Sequence, residues 1–258
     1  ESPDIRYPEE FCVPVPKERK IVYGMFAVKG LGKSAKDIKA LITENGVPET
    51  LGEFLILAKQ YKITSNKLEA LIYSGALDTY GLRSVLHANK EAIIEFLRNS
   101  RVKKKNAKQA TLFEMENPQP DLSIKPQKSN DLVLELLFKE RDYLGSFITR
   151  HPLELYEQNP QWAEQSFLSL KSKDSWKPIV DKIIGIVLTP RRIMTKKNQA
   201  MMFLTVDCSD YILDLTIFPA TFSSLSKKPE KNDIVTFSYR PESYDKENKT
   251  ITGTIERI

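Results

Sequence analysis

Little in this sequence offers covalent or metal chemistry. Cys12 and Cys208 stand far apart, and only His87 and His151 could join them as soft ligands. Neither a disulfide framework nor a four-ligand zinc site can be assembled, and so few thiols suit a reducing compartment. The longest aliphatic run is Ile183–Leu188, far below the roughly 20 residues of a membrane-spanning helix. The opening ESPDIRYPEE is acidic and proline-containing rather than a secretory leader, and a chain starting at Glu1 without Met reads as a fragment. P-loop, G-x-S-x-G and H-E-x-x-H motifs are missing, as is any tight cluster of acids in strands that could hold two magnesium ions. Asp207, Asp210 and Asp214 come nearest, but they span a strand, a turn and a strand, and read as turn and surface residues. His151 before Pro152 reads as a helix stop rather than a base.

What is present suffices for real cores: 258 residues, 41% of them hydrophobic, enough for one large domain or two ordinary ones. Thirty-nine Lys and Arg against 34 Asp and Glu leave a net +5, which allows an anionic partner without requiring one.

The apolar period divides the chain. From Gly32 to Asn99 it is helical, predicting helices over Ala35–Thr43, Leu51–Tyr61, Asn66–Ser74 and Leu82–Asn99. Ser34 with Asp37 and Thr50 with Glu53 read as capping boxes, and Gly75 and Gly81 as turns or C-caps. Arg101–Asn130 is basic, then acidic and rich in Pro, Gln and Asn, and reads as an exposed linker. Helical spacing returns at Asp131–Leu144, to stop at Gly145 or before His151-Pro152, and in a short piece at Pro160–Leu170. From about Lys177 the period falls to two. Strands are expected at Ile183–Thr189, Met201–Asp207, Ile212–Phe218, Ile234–Tyr239 and Thr250–Ile255, with a turn at Lys196–Gln199 and a helix near Ala220–Leu225. Five strands with a helix after the third fit an OB barrel. The expected fold is multidomain α+β: a helical domain over 1–100, a linker over 101–130, connecting helices over 131–175 and an all-β OB barrel over 176–258.

Three segments carry binding chemistry. In Ala27-Val28-Lys29-Gly30-Leu31-Gly32-Lys33-Ser34-Ala35, two glycines open a helix. Glycine lets backbone approach a phosphate, and the free amides and positive end of the helix hold it. Lys29, Lys33 and Lys36 add charge. The segment resembles the hairpin of helix-hairpin-helix modules, which grip duplex DNA through its backbone. Those modules commonly place a small residue six positions after the first glycine, where this chain has Lys36, with Ala35 one place earlier. The alternative is a tight structural turn.

Gln109-Ala110-Thr111-Leu112-Phe113 puts two large apolar side chains into a polar stretch, the mark of a docking peptide. It resembles the Q-x-x-L-F peptide with which bacterial proteins bind the sliding clamp. Gln109 would bond the pocket rim while Leu112 and Phe113 fill the groove. Folding back onto the helical domain is the other possibility.

In the barrel, inward Leu204, Val206, Leu213, Leu215 and Ile217 put Phe203 and Phe218 outside, where OB folds stack the bases of single-stranded DNA. Arg191, Arg192, Lys196 and Lys197 at the first hairpin would follow phosphates. OB barrels also bind proteins and sugars.

The order of these parts resembles the C-terminal region of the alpha subunit of bacterial replicative DNA polymerase III. The likeness runs through Tyr23-Gly24, Ala27–Gly32, Leu68–Asp78, Leu144–Phe147, His151-Pro152-Leu153 and Arg191–Lys197. It implies a parent DNA-directed DNA polymerase, a cytoplasmic nucleotidyltransferase whose magnesium-binding palm lies upstream of Glu1, so that no cofactor belongs to this segment. It implies duplex and single-stranded DNA and the sliding clamp as partners and no membrane; a clamp-loader subunit is a further candidate, although the clamp-loader-binding domain that some members carry after the barrel would be absent or cut off at Ile258. A repair or interaction module whose barrel binds a protein is the alternative.

Overall fold

A computed structural model describes residues 1–100, 118–158, 160–172 and 178–258. The chain divides into two compact units, Glu1–Arg150 and His151–Ile258. This line differs from the four-part division drawn from composition.

The first unit opens with a two-stranded antiparallel ribbon, β1 (Val13–Val15) and β2 (Lys20–Val22). Strands of three residues are too short to show a period, so the sequence did not reveal them. Among the described residues six α-helices follow: α1 (Ser34–Asn45), α2 (Leu51–Gln60), α3 (Ser65–Tyr73), α4 (Arg83–Ala88), α5 (Lys90–Asn99) and α6 (Asn130–Leu144). Their apolar faces meet in one core that includes Leu31, Ile38, Phe54, Leu68, Leu71 and Ile93.

Three local expectations need correction. The predicted helix Leu82–Asn99 is two helices, broken at Asn89. Its buried side chain donates to Val85 O and Ile124 O and accepts from Ile124 N, so a partner 35 residues away ends α4. Ser34 is no cap: Lys33 holds that position with helical torsions, and Ser34 Oγ accepts from the Lys67 ammonium. Thr50 does cap α2, accepting from Glu53 N at 3.3 Å, but the Glu53 carboxylate reaches back to Glu49 N, one residue before the usual partner.

The described end of the expected linker packs on helices. Gln119 Oε1 accepts from Gly52 N at 3.0 Å, Pro120 is buried, and Leu122 rests on the core. Helix α6, expected as a connector, belongs to this unit: Leu144 is buried in its core, and Gly145, at φ +85°, caps the helix in the left-handed conformation.

The second unit is a closed five-stranded barrel of β3 (Val180–Met194), β4 (Ala200–Asp207), β5 (Ile212–Ile217), β6 (Ile234–Asp245) and β7 (Thr250–Arg257). The strand order β3-β4-β5-β7-β6 is antiparallel except between β5 and β7, and is that of an OB fold. Helix α8 (Pro219–Ser224) follows β5, and α7 (Trp162–Lys171) precedes the barrel and packs on it, Ser166 Oγ bonding the buried Tyr239 hydroxyl at 2.7 Å. Strands β3 and β6 run well beyond the predicted Thr189 and Tyr239. Register shifts at Val187/Thr189 and Pro241/Ser243 break the alternation, and Pro190 and Pro241 look like stops although both lie within strands. His151 caps the 3-10 turn Pro152–Leu155 with its Nδ1.

No described helix is long and apolar enough to cross a membrane.

Candidate nucleic-acid interfaces

In the helical unit the glycine turn has the geometry that its sequence requires. Gly30 has φ +91° and Gly32 φ +51°, and a methyl group at Gly32 would meet nothing within 4 Å. Leu31 between them is fully buried, which pins the loop, and Gly30 lies over Ala70 of α3, 3.9 Å from where its Cβ would stand. The amides of Gly30, Gly32 and Lys33 donate to no acceptor among the described residues, and all three residues are exposed. They sit just before α1, where the positive end of the helix adds to their pull on an anion. Lys29, Lys33 and Lys36 are exposed beside them. Ala35 is fully buried, whereas Lys36, at the position where such turns commonly carry a small residue, stays in solvent.

The turn is held by α6. Lys29 N donates to Tyr143 O at 2.8 Å, and the Lys29 ammonium lies 3.6 Å from where a Cβ on Gly145 would stand, against the negative end of that helix. Helix α6 is held in turn by Glu140, whose fully buried carboxylate accepts from Arg83 Nη1 at 3.0 Å, Thr149 Oγ1 at 2.6 Å and the amides of Ile148 and Thr149 at 3.1 Å. Burial pushes the Glu140 carboxyl up, but the Thr149 hydroxyl and amide and the Arg83 guanidinium outweigh it and hold it below the ordinary value. Sequence reading missed this node, because Arg83 and Glu140 are 57 residues apart.

In the barrel, Leu204, Val206, Leu213, Leu215 and Ile217 all point inward and are buried. Phe203 is 40% exposed on the outer face of β4, and Phe218 is 49% exposed. Phe218 stands one residue past β5, as the cap of α8, so the two rings line different grooves: Phe203 beside Arg191 and Thr216, Phe218 beside Ala200 and Lys228. Arg191 and Arg192 lie within β3, opposite Phe203 and Met202, rather than in the hairpin, whose exposed tip carries Lys196 and Lys197. Arg192 leans over the Phe222 ring at 5.7 Å.

Two features of this face escaped the sequence. The β6–β7 turn also carries exposed lysines, Lys246 and Lys249, although Asp245 and Glu247 beside them leave it without net charge, so both hairpins that flank an OB groove carry lysines. The groove itself holds two acids, Asp214 and Glu242, bonded by Thr205 at 2.8 Å and Thr254 at 2.5 Å. The signal for the first was the short Lys-Glu-Asn-Lys turn; the second depends on a register that only the fold supplies. Gln109, Leu112 and Phe113 lie outside the described residues.

Comparison with known proteins places the chain beside a helix-hairpin-helix family and a set of polymerase subunits. A family model described as a helix-hairpin-helix motif matches residues 1–86. The DNA polymerase III subunit alpha of Pseudomonas aeruginosa is 28% identical over 245 residues, covering 86% of this chain and 20% of that protein. The corresponding subunits of Bacillus subtilis and Thermus aquaticus are 31% and 25% identical and cover 79% and 81% of the chain. The chain spans about a fifth of the length of these curated relatives.

Proposed function

We propose that the chain is the DNA-handling C-terminal segment of a bacterial replicative polymerase, because most of its length matches a stretch about a fifth as long as the DNA polymerase III alpha subunits. The turn at Lys29–Lys33, with Lys36, holds the backbone of duplex product without reading sequence. The peptide Gln109–Phe113 tethers the segment to the sliding clamp. The barrel takes single-stranded template, with Arg191, Arg192, Lys196 and Lys197 along its phosphates and Phe203 and Phe218 under its bases. Cytoplasmic location and a clamp-loader contact belong to the same reading.

Nucleotide addition is assigned to the parent enzyme. It needs magnesium held by several acids, and among the described residues no group of three or more His, Cys, Asp or Glu is placed to hold a metal. Asp207 faces His151 and Asp214 is bonded by Thr205, so the nearest candidates do not converge.

The observation that carries the proposal is the set of exposed amides at Gly30, Gly32 and Lys33, unbonded among the described residues and set among three lysines, within a segment that matches the helix-hairpin-helix model. Duplex titration of the chain against a variant with Gly30 and Gly32 replaced by valine tests it. The variant should bind duplex at least tenfold more weakly with an intact barrel; unchanged affinity would make the turn purely structural. A second reading, a barrel that docks a protein, draws on Asp214 and Glu242, which repel phosphate.

A further inference from the structure

We infer that the outer groove of the barrel reads base edges through Asp214 and prefers bases that carry an exocyclic amino group, cytosine over thymine in particular. This rests on the reading of the barrel as a single-strand binder. Strand register lays two rows across the outer face. One runs Arg191, Phe203, Thr216, Thr254, and the next runs Thr189, Thr205, Asp214, Thr252. A cation and an aromatic ring therefore stand one row from a line of hydroxyls and a carboxylate, diagonal neighbours being about 7–8 Å apart.

The carboxylate fixes what can lie there. Asp214 only accepts hydrogen bonds; Thr205 donates to its Oδ1, and its Oδ2 has no partner among the described residues. A phosphodiester is an anion with nothing to donate, and Glu242, which accepts from Thr254, adds a second negative charge to the groove. The phosphates are thus kept to the side of Arg191 and the lysine hairpin, and the bases are turned inward. A base stacked on Phe203 presents its edge to Asp214. Cytosine offers the N4 amino group to such an acceptor. Thymine offers a single N–H between two carbonyl oxygens, which the carboxylate repels. The two pyrimidines stack alike, so their comparison isolates the edge.

The test uses the whole chain and labelled ten-nucleotide oligo(dC) and oligo(dT) at pH 7.5 and one salt concentration, read by fluorescence anisotropy. Oligo(dC) should bind about fivefold tighter, the low end of what one good base-edge pair gives. Asp214→Asn keeps an acceptor for Thr205 and removes the charge, and should bring the ratio below about twofold without weakening oligo(dT). Tryptophan fluorescence checks that the variant barrel is folded. Equal affinities in the parent chain would overturn the inference and leave the single-strand reading standing. A preference that survives Asp214→Asn would overturn the assignment to that residue. No binding of either oligonucleotide would overturn the reading beneath it.

Discussion

Glu140→Ala should unfold the helical unit far more easily while leaving the barrel as it was. The Glu140 carboxylate is fully buried, and Arg83, 11% exposed, divides its guanidinium between Glu140 and Asp78. Removing the carboxylate leaves the guanidinium with one partner and strips an acceptor from the Ile148 and Thr149 amides. Breaking a buried ion pair from one side costs about 3–5 kcal/mol. With a urea slope of about 2 kcal/mol/M, the midpoint should fall by about 1.5–2.5 M. The two units can be followed separately, because both tryptophans, Trp162 and Trp176, come after Arg150. Far-ultraviolet circular dichroism at 222 nm reports mostly the helical unit, and tryptophan emission reports the barrel. The dichroism transition should move and the emission transition should not. The pH dependence has a definite sign. A carboxyl whose native pKa lies below its ordinary 4.5 stabilises fully above that value and loses its contribution as pH falls through the native one. The parent helical unit should therefore weaken as pH falls below about 4.5, and Glu140→Ala should lack that component. A dichroism midpoint unchanged within about 0.3 M would refute the reasoning.

Further outcomes follow from single positions. Gly32→Ala meets no atom, so its cost is the left-handed φ of +51° alone, about 1–2 kcal/mol, read as a lower midpoint of the dichroism transition. Phe203→Ala should weaken single-strand binding by about 1–3 kcal/mol, and Phe218→Ala should act independently because the rings line separate grooves, so the double variant should sum the two in oligonucleotide titrations. Leu112→Ala with Phe113→Ala should abolish binding to a sliding clamp in surface plasmon resonance and leave DNA affinity intact; the parent contact should be on the order of micromolar, since ordering the segment offsets much of the burial of two side chains.

Local signals in this chain were legible where one element settles them. The inward set Leu204, Val206, Leu213, Leu215 and Ile217 follows from alternation, and Gly30, Gly32 and Gly145 mark left-handed turns because little else tolerates that backbone. What failed depends on partners distant in sequence. Asn89 ends a helix because Ile124 bonds it, Ser34 gives up a cap because Lys67 takes its hydroxyl, and Glu140 looks like a surface acid until Arg83 and Thr149 enclose it. The strands through Pro190 and Pro241 were cut short because bulges erase the period of two. At the sites, lysines and aromatics were visible as residue types, whereas Asp214 joined the groove only through the register of β4 with β5 and β7.

The salt dependence of DNA binding tests the central claim most directly. Each phosphate neutralised by a cation releases counterions and adds about −0.9 to the slope of log affinity against log salt on duplex. Lys29, Lys33 and Lys36 beside the turn therefore set an expected slope of about −2 to −3 for the whole chain on a short duplex of arbitrary sequence. Single strands should show a comparable decline through the lysine hairpins of the barrel. Duplex affinity that stays flat from about 50 to 200 mM salt, or is absent at the lower concentration, would contradict the account.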